Sequence, residues 1–186
     1  PSRGFDRSER LTYREAVQLH AGIDPFDDPD AVLIARLESS GVEVPRELRG
    51  DRDACLDLIM ATLVGPQLGH DRLTFIYDYP ASQAALAQIR GPVASRFEAY
   101  MDGLELANGF HELGNAPEQR ARFERDLAER AKRGLPPMPI DERFLAALEH
   151  GLPECSGVAL GFDRLVMCAT GSKHIDSVLA FPFERA

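Results

Sequence analysis

Apolar positions in the first third of the chain recur at helical spacing. Leu11-Thr12-Tyr13-Arg14-Glu15 reads as a capping box, with Thr12 as cap and Glu15 reaching back, and predicts a short helix that stops by Gly22. Pro25 and Pro29 mark a loop. A second helix is predicted over 30–40, with Val32, Leu33, Ile34, Ala35 and Leu37 crowding one side and Gly41 beyond its end. A third covers 51–64, where Ala54, Cys55, Leu58, Ile59 and Thr62 share a face before Gly65-Pro66 closes it. The pattern changes at Leu73: residues 73–79 are rich in β-branched and aromatic side chains and are halted by Pro80, which predicts a strand. Residues 96–101 and 104–109 alternate around Asp102-Gly103, the pair best suited to a type I′ turn, and predict a hairpin.

Asn115, Pro117 and Glu118 start another helix, which continues to Gly134. Phe123, Leu127 and Ala131 are placed on its inner side; Arg120, Arg122, Glu124, Arg125, Glu129 and Arg130 are placed on the solvated one. Pro136, Pro137 and Pro139 form a stiff connector, and Asp141 caps a short helix that ends before Gly151. Last, Gly157-Val158-Ala159-Leu160-Gly161 is a small-residue strand running into a helix over 162–169, with Gly171 past its end. The elements imply an α+β fold: 1–72 mainly helical, and 73–186 built on an antiparallel sheet flanked by helices.

Composition narrows the function. The 186 residues suit one domain. Lys and Arg number 21 against 30 Asp and Glu, a net charge of −9, so the surface repels phosphate backbones and anionic lipid. Apolar runs such as 165–169 fall far short of the roughly 20 residues of a bilayer span. The run 1–10 is polar and begins with Pro1, which points to a processing or cloning boundary upstream. Cys55, Cys155 and Cys168 are odd in number and form no C-x-x-C pair, as expected of reduced thiols in a cytoplasmic protein. The five His are too scattered for a metal site.

The hairpin carries the first candidate chemistry. A two-residue turn pairs Met101 with Leu104, Tyr100 with Glu105, Ala99 with Leu106 and Glu98 with Ala107. Phe97, Ala99, Met101, Leu104 and Leu106 then share a core face, and Glu98, Tyr100 and Glu105 the acidic one. Glu98 and Glu105 become diagonal neighbours, their β-carbons roughly 7 Å apart, close enough to share a divalent cation or simply to decorate a solvent face. Strict alternation beyond Glu105 would bury Asn108 and Glu112 with Phe110 on the core face, at a cost of several kcal/mol. A bulge near Ala107 to Gly109 is therefore expected, turning all three toward the acids, where they could hold a cationic amine. The second candidate is Arg164, a cation in the first turn of a helix with Leu160 at i−4; an external anion such as phosphate, or else Asp163 or a distant acid, would partner it.

These residues resemble class II aminoacyl-tRNA synthetases of the lysyl type. Gly161-Phe162-Asp163-Arg164-Leu165 is similar to that class's third signature motif, and Glu105-x-x-Asn108-x-Phe110-x-Glu112 to the lysyl enzymes' amino-acid-binding strand. The stretches 79–84, 103–112 and 155–161 are more similar still to the compact lysyl-synthetase paralogues that ligate β-lysine to translation elongation factor P. The resemblance covers about 9–186. It implies that Glu98 and Glu105 ligate Mg²⁺ on ATP, that the Leu106 backbone borders the nucleotide, that Gly161 lets adenine lie close and that Arg164 holds the γ-phosphate. It further implies that Asn108, Phe110 and Glu112 bind lysine or β-lysine, with Glu112 on an ammonium group, in a homodimeric full-length enzyme. Ala159 stands where lysyl-tRNA synthetases usually have Gly, and one methyl can decide roughly 1–3 kcal/mol between close substrates. The class's first and second motifs are expected upstream of residue 1, so the chain resembles the C-terminal part of a catalytic domain, inactive alone. The alternatives are a fragment of a lysyl-tRNA synthetase acting on tRNA-Lys and an inactive paralogue that serves as a binding module.

Overall fold

The computed structural model describes residues 6–185; of the polar N-terminal run, residues 1–5 lie outside them, as does Ala186. Six strands form one sheet in the order β1-β2-β4-β5-β6: β1 (Ser8–Thr12), β2 (Leu73–Pro80), β4 (Val93–Met101), β5 (Leu104–His111) and β6 (Ser156–Leu160), with the short β3 (Ile89–Arg90) also on β4. All pairs are antiparallel except β1–β2, which is parallel. Strand β1 is absent from the sequence expectation: five mostly polar residues carry no alternation of their own, and pairing Leu11 with Ile76 is what orders them. Three helices connect β1 to β2.

Local chemistry sets the ends of these helices. Helix α1 (Tyr13–Ala21) opens on the expected capping box: the Thr12 hydroxyl accepts the Glu15 N–H at 3.1 Å, and the Glu15 carboxylate accepts the Thr12 N–H at 2.8 Å. Helix α2 (Asp30–Ser39) buries only Leu33 and Leu37, an i,i+4 stripe narrower than expected, and Val32 and Ala35 face solvent. Asp51 caps α3 (Arg52–Ile59), which does not run on as an α-helix; Met60–Val64 widens into a π turn. The wider turn changes the phase, so Met60 and Val64 are buried while Thr62 is exposed.

Tyr13, Val17, Leu33, Leu37, Leu56, Ile59, Val64 and Ile76 form the fully buried centre where α1–α3 meet the sheet. Ile76 pairs with Glu98 across β2 and β4, and Thr74 with Tyr100, so the helices cover the face that carries the acids. The expected division into a core face and an acidic face is thus corrected. The opposite face leaves Phe75, Tyr77 and Phe97 lining an open groove with Arg10, and a small cluster of Met101, Leu106 and Cys168 is buried on it, packed against Leu165.

Helix α4 (Ala116–Lys132) starts at the Asn115 cap, but its buried stripe is Ala116, Gln119 and Arg122. Arg122, expected on the solvated side, is 6% exposed. Its Nη1 donates to the carbonyls of Ala85 and Ala87 at 2.9 and 2.8 Å, holding a turn in which Ala85 has φ of 47°. Asp141 caps α5 (Glu142–His150), and α6 (Phe162–Thr170) follows β6 through Gly161.

Candidate active site

The β4–β5 hairpin turns at Asp102 and Gly103 with φ of 51° and 75°, both left-handed as a type I′ turn requires. Met101 pairs with Leu104 and Tyr100 with Glu105 as expected; then the register shifts, Ala99 pairing with Ala107 and Glu98 with Asn108. Leu106 is therefore the bulged residue, earlier than the expected 107–109. The carbonyls at the bulge have partners outside the ladder: Leu106 O accepts the Gly161 N–H at 2.8 Å, and Glu105 O accepts Arg164 Nη1 at 2.8 Å. A contact with the start of α6 thus fixes where the extra residue sits.

Residues opposite one another share a face, so the shifted register places Glu98, Tyr100, Glu105, Asn108 and Phe110 on one side. Ala159 of β6 pairs with Asn108 and Gly157 with Phe110, extending that side by one strand. Glu112, just past β5, lies over Gly157: a methyl group on that glycine would overlap the Glu112 carboxylate. A cleft of about 350 Å³ opens between this face and the π turn, lined by Glu98, Glu105, Arg96 and Arg164, with Asp57 and Met60 across from them. Glu98 and Glu105 thus point the same way, and Arg164 faces them.

Both oxygens of Glu98, which is 7% exposed, are engaged: Oε1 accepts Arg96 Nη2 at 2.5 Å and Oε2 accepts the Tyr100 hydroxyl at 2.6 Å. Burial, then the Glu98 charge, pushes the Tyr100 phenol well above its ordinary range, so it stays a donor. Burial and the same charge also raise the Glu105 carboxyl, with Arg164 and Arg96 opposing. Asp57 is raised by burial and by Asp53. Arg164 Nη1 lies 3.7 Å from Glu105 Oε2, so of the two acid alternatives it is the distant one, 59 residues away, and not Asp163 that faces it.

This donor set fits magnesium. Each Glu98 oxygen keeps a lone pair after its one hydrogen bond, and the Glu105 carboxylate lines the same cleft. Among the described residues no three His, Cys, Asp or Glu side chains could hold a metal ion together. Phosphate oxygens and water would complete the shell, as this ion accepts. Arg96 went unremarked in the sequence although it lies two residues before Glu98 on the same strand; period-two spacing was the available signal. The Leu106 side chain turns to the far face and is buried against Met101 and Cys168.

The chain belongs to the class II tRNA synthetases (D, K and N), whose family model covers residues 5–185. Its similar relatives include the elongation factor P (R)-β-lysine ligases of Klebsiella pneumoniae, 52% identical over 185 residues, and of Proteus mirabilis, 51% identical over 187. That of Vibrio cholerae is 50% identical over 182 residues. The matches take in 96%, 97% and 96% of this chain, but 56%, 57% and 56% of those proteins, so the chain spans little more than half their length. Among the described residues no helix is long and apolar enough to cross a membrane.

Proposed function

We propose that this chain forms the C-terminal part of the catalytic domain of an ATP-dependent, AMP-forming ligase. Such an enzyme activates lysine or β-lysine and transfers it to a lysine of translation elongation factor P. One observation carries the reading: the shifted β4–β5 register gathers Glu98, Glu105, Asn108 and Phe110 on one face, flanked by Ala159 and the seated Glu112, with Arg164 at the rim. The substrates named for the similar ligases, and the net charge of −9, support a protein acceptor over a nucleic acid.

In this assignment Glu112 pairs with a substrate ammonium group while Asn108 and Phe110 position the rest of the amino acid. Arg164 holds the γ-phosphate with its guanidinium, the Leu106 backbone borders the nucleotide, and Gly161 lets adenine lie close. Glu98 and Glu105 would hold magnesium, which would neutralise charge along the phosphates. The substrate carboxylate attacks the α-phosphorus in line, pyrophosphate leaves, and the ε-amine of the acceptor lysine displaces AMP to form an amide. The ionised carboxylate needs no base in the first step. Ala159, paired with Asn108 on the same side of the sheet, selects between lysine isomers. The full-length enzyme acts as a homodimer.

The test is lysine- or β-lysine-dependent exchange of pyrophosphate into ATP by the intact enzyme, followed by transfer to elongation factor P. Glu105→Ala and Arg164→Ala are each expected to abolish exchange. Normal exchange by either variant, or transfer to tRNA in place of the protein, contradicts the proposal.

A further inference from the structure

Arg96 sits at the junction of the two halves of the site. It projects from β4 opposite Phe110, and its side chain is 18% exposed. Its planar head makes three directed contacts: Nη2 to Glu98 Oε1 at 2.5 Å, Nη1 to the Gln83 carbonyl at 3.0 Å and, at longer range, Nε to Asn108 Oδ1 at 3.4 Å. The same group stacks over Tyr79, 4.5 Å from the ring centroid, and lies 6.0 Å from that of Phe110. A compact ammonium could meet one of these partners but has neither the fork to reach several nor a plane to stack.

We infer that Arg96 is a positioning residue that couples the acid pair to the amino-acid pocket by fixing the orientations of Glu98 and Asn108. With Asn108 Oδ1 turned toward Arg96, the Asn108 amide presents its NH₂ away from the guanidinium, as a donor suited to a substrate carboxylate. With Oε1 of Glu98 held by Arg96 and Oε2 by Tyr100, that carboxylate has one arrangement. The inference rests on the reading of the cleft as an ATP and lysine site.

The test is calorimetric titration of lysine into the intact enzyme without nucleotide or metal, alongside thermal melting. Arg96→Lys, which keeps the charge, and Arg96→Gln, which keeps a planar end, are each expected to weaken lysine binding at least tenfold. The double variant Arg96→Lys/Asn108→Ala is expected to bind lysine within twofold of Asn108→Ala alone, because both changes remove one coupled unit. Lysine binding by both single variants within twofold of the unsubstituted enzyme, or fully additive losses in the double variant, overturns the role of Arg96. Failure of the unsubstituted enzyme to bind lysine or β-lysine would instead bring down the reading of the cleft, and this inference with it.

Discussion

Replacing Gly157 by alanine should separate the function of the site from the stability of the fold. The glycine lies in β6 beneath the Glu112 carboxylate, and the added methyl would occupy the space of that carboxylate's oxygen. Glu112 is the far end of a flexible, half-exposed side chain, so it can swing aside at little structural cost, but it then leaves the position proposed for the substrate ammonium. A charge-assisted hydrogen bond contributes about 1.5–3 kcal/mol, and each 1.4 kcal/mol is a factor of ten, so lysine affinity should fall about 10- to 150-fold. Partial exposure of Glu112 favours the lower end of that span. Stability should hold or rise slightly, since an alanine in an extended strand narrows the unfolded ensemble by roughly 0.4–1 kcal/mol. Calorimetric lysine binding and a thermal melt on the same preparation check both halves. Lysine binding within twofold of the parent, with the melt unchanged, would refute the assignment of Glu112 to the substrate.

Three further outcomes are expected. Burial and Glu98 raise the Glu105 carboxyl, so the folded protein binds that proton more tightly than the unfolded chain; the resulting stabilisation is present below the ordinary glutamate range and is lost as pH rises through the folded value. Glu105→Gln should therefore raise the melting temperature at pH 7.5 and give no gain near pH 4, a pattern that melts at the two pH values will show or deny. Arg122→Ala leaves the carbonyls of Ala85 and Ala87 without their guanidinium donor and should cost about 2–5 kcal/mol in urea unfolding; a cost under about 0.5 kcal/mol would show that the buried arginine is dispensable. Ala159→Gly should shift exchange activity toward α-lysine over β-lysine by about 1–3 kcal/mol, read from the ratio of kcat/KM values, and an unchanged ratio would remove Ala159 from the pocket account.

Features set by a few neighbouring residues were legible in the sequence. The Thr12, Asn115 and Asp141 caps and the Asp102-Gly103 turn follow from side-chain and backbone chemistry within four residues, and the structure has all of them. A bulge in β5 was also expected and is present, although the reason for expecting it, burial of Asn108 and Glu112 on a core face, fails because the helices cover the acid face instead. The position of the bulge at Leu106 was not legible, since it depends on bonds from Gly161 and Arg164, more than fifty residues away. Alternation tells which residues share a face but not which face the rest of the chain will cover. The core cluster built by helices α1–α3 includes Ile76, opposite Glu98, so the acids lie at the edge of the core instead of opposite it. Arg122 looks like a solvated charge until the carbonyls it meets are in place, and β1 exists only because β2 offers it a partner.

The claim that Glu98 and Glu105 together grip a metal-bound nucleotide is tested most directly by crystallography of the intact enzyme with manganese, a non-hydrolysable ATP analogue and lysine. An anomalous peak within coordination distance of both carboxylates, with the γ-phosphate on Arg164, is the predicted result. A nucleotide-bound metal that touches neither carboxylate, or a triphosphate lying away from Arg164, would contradict the account.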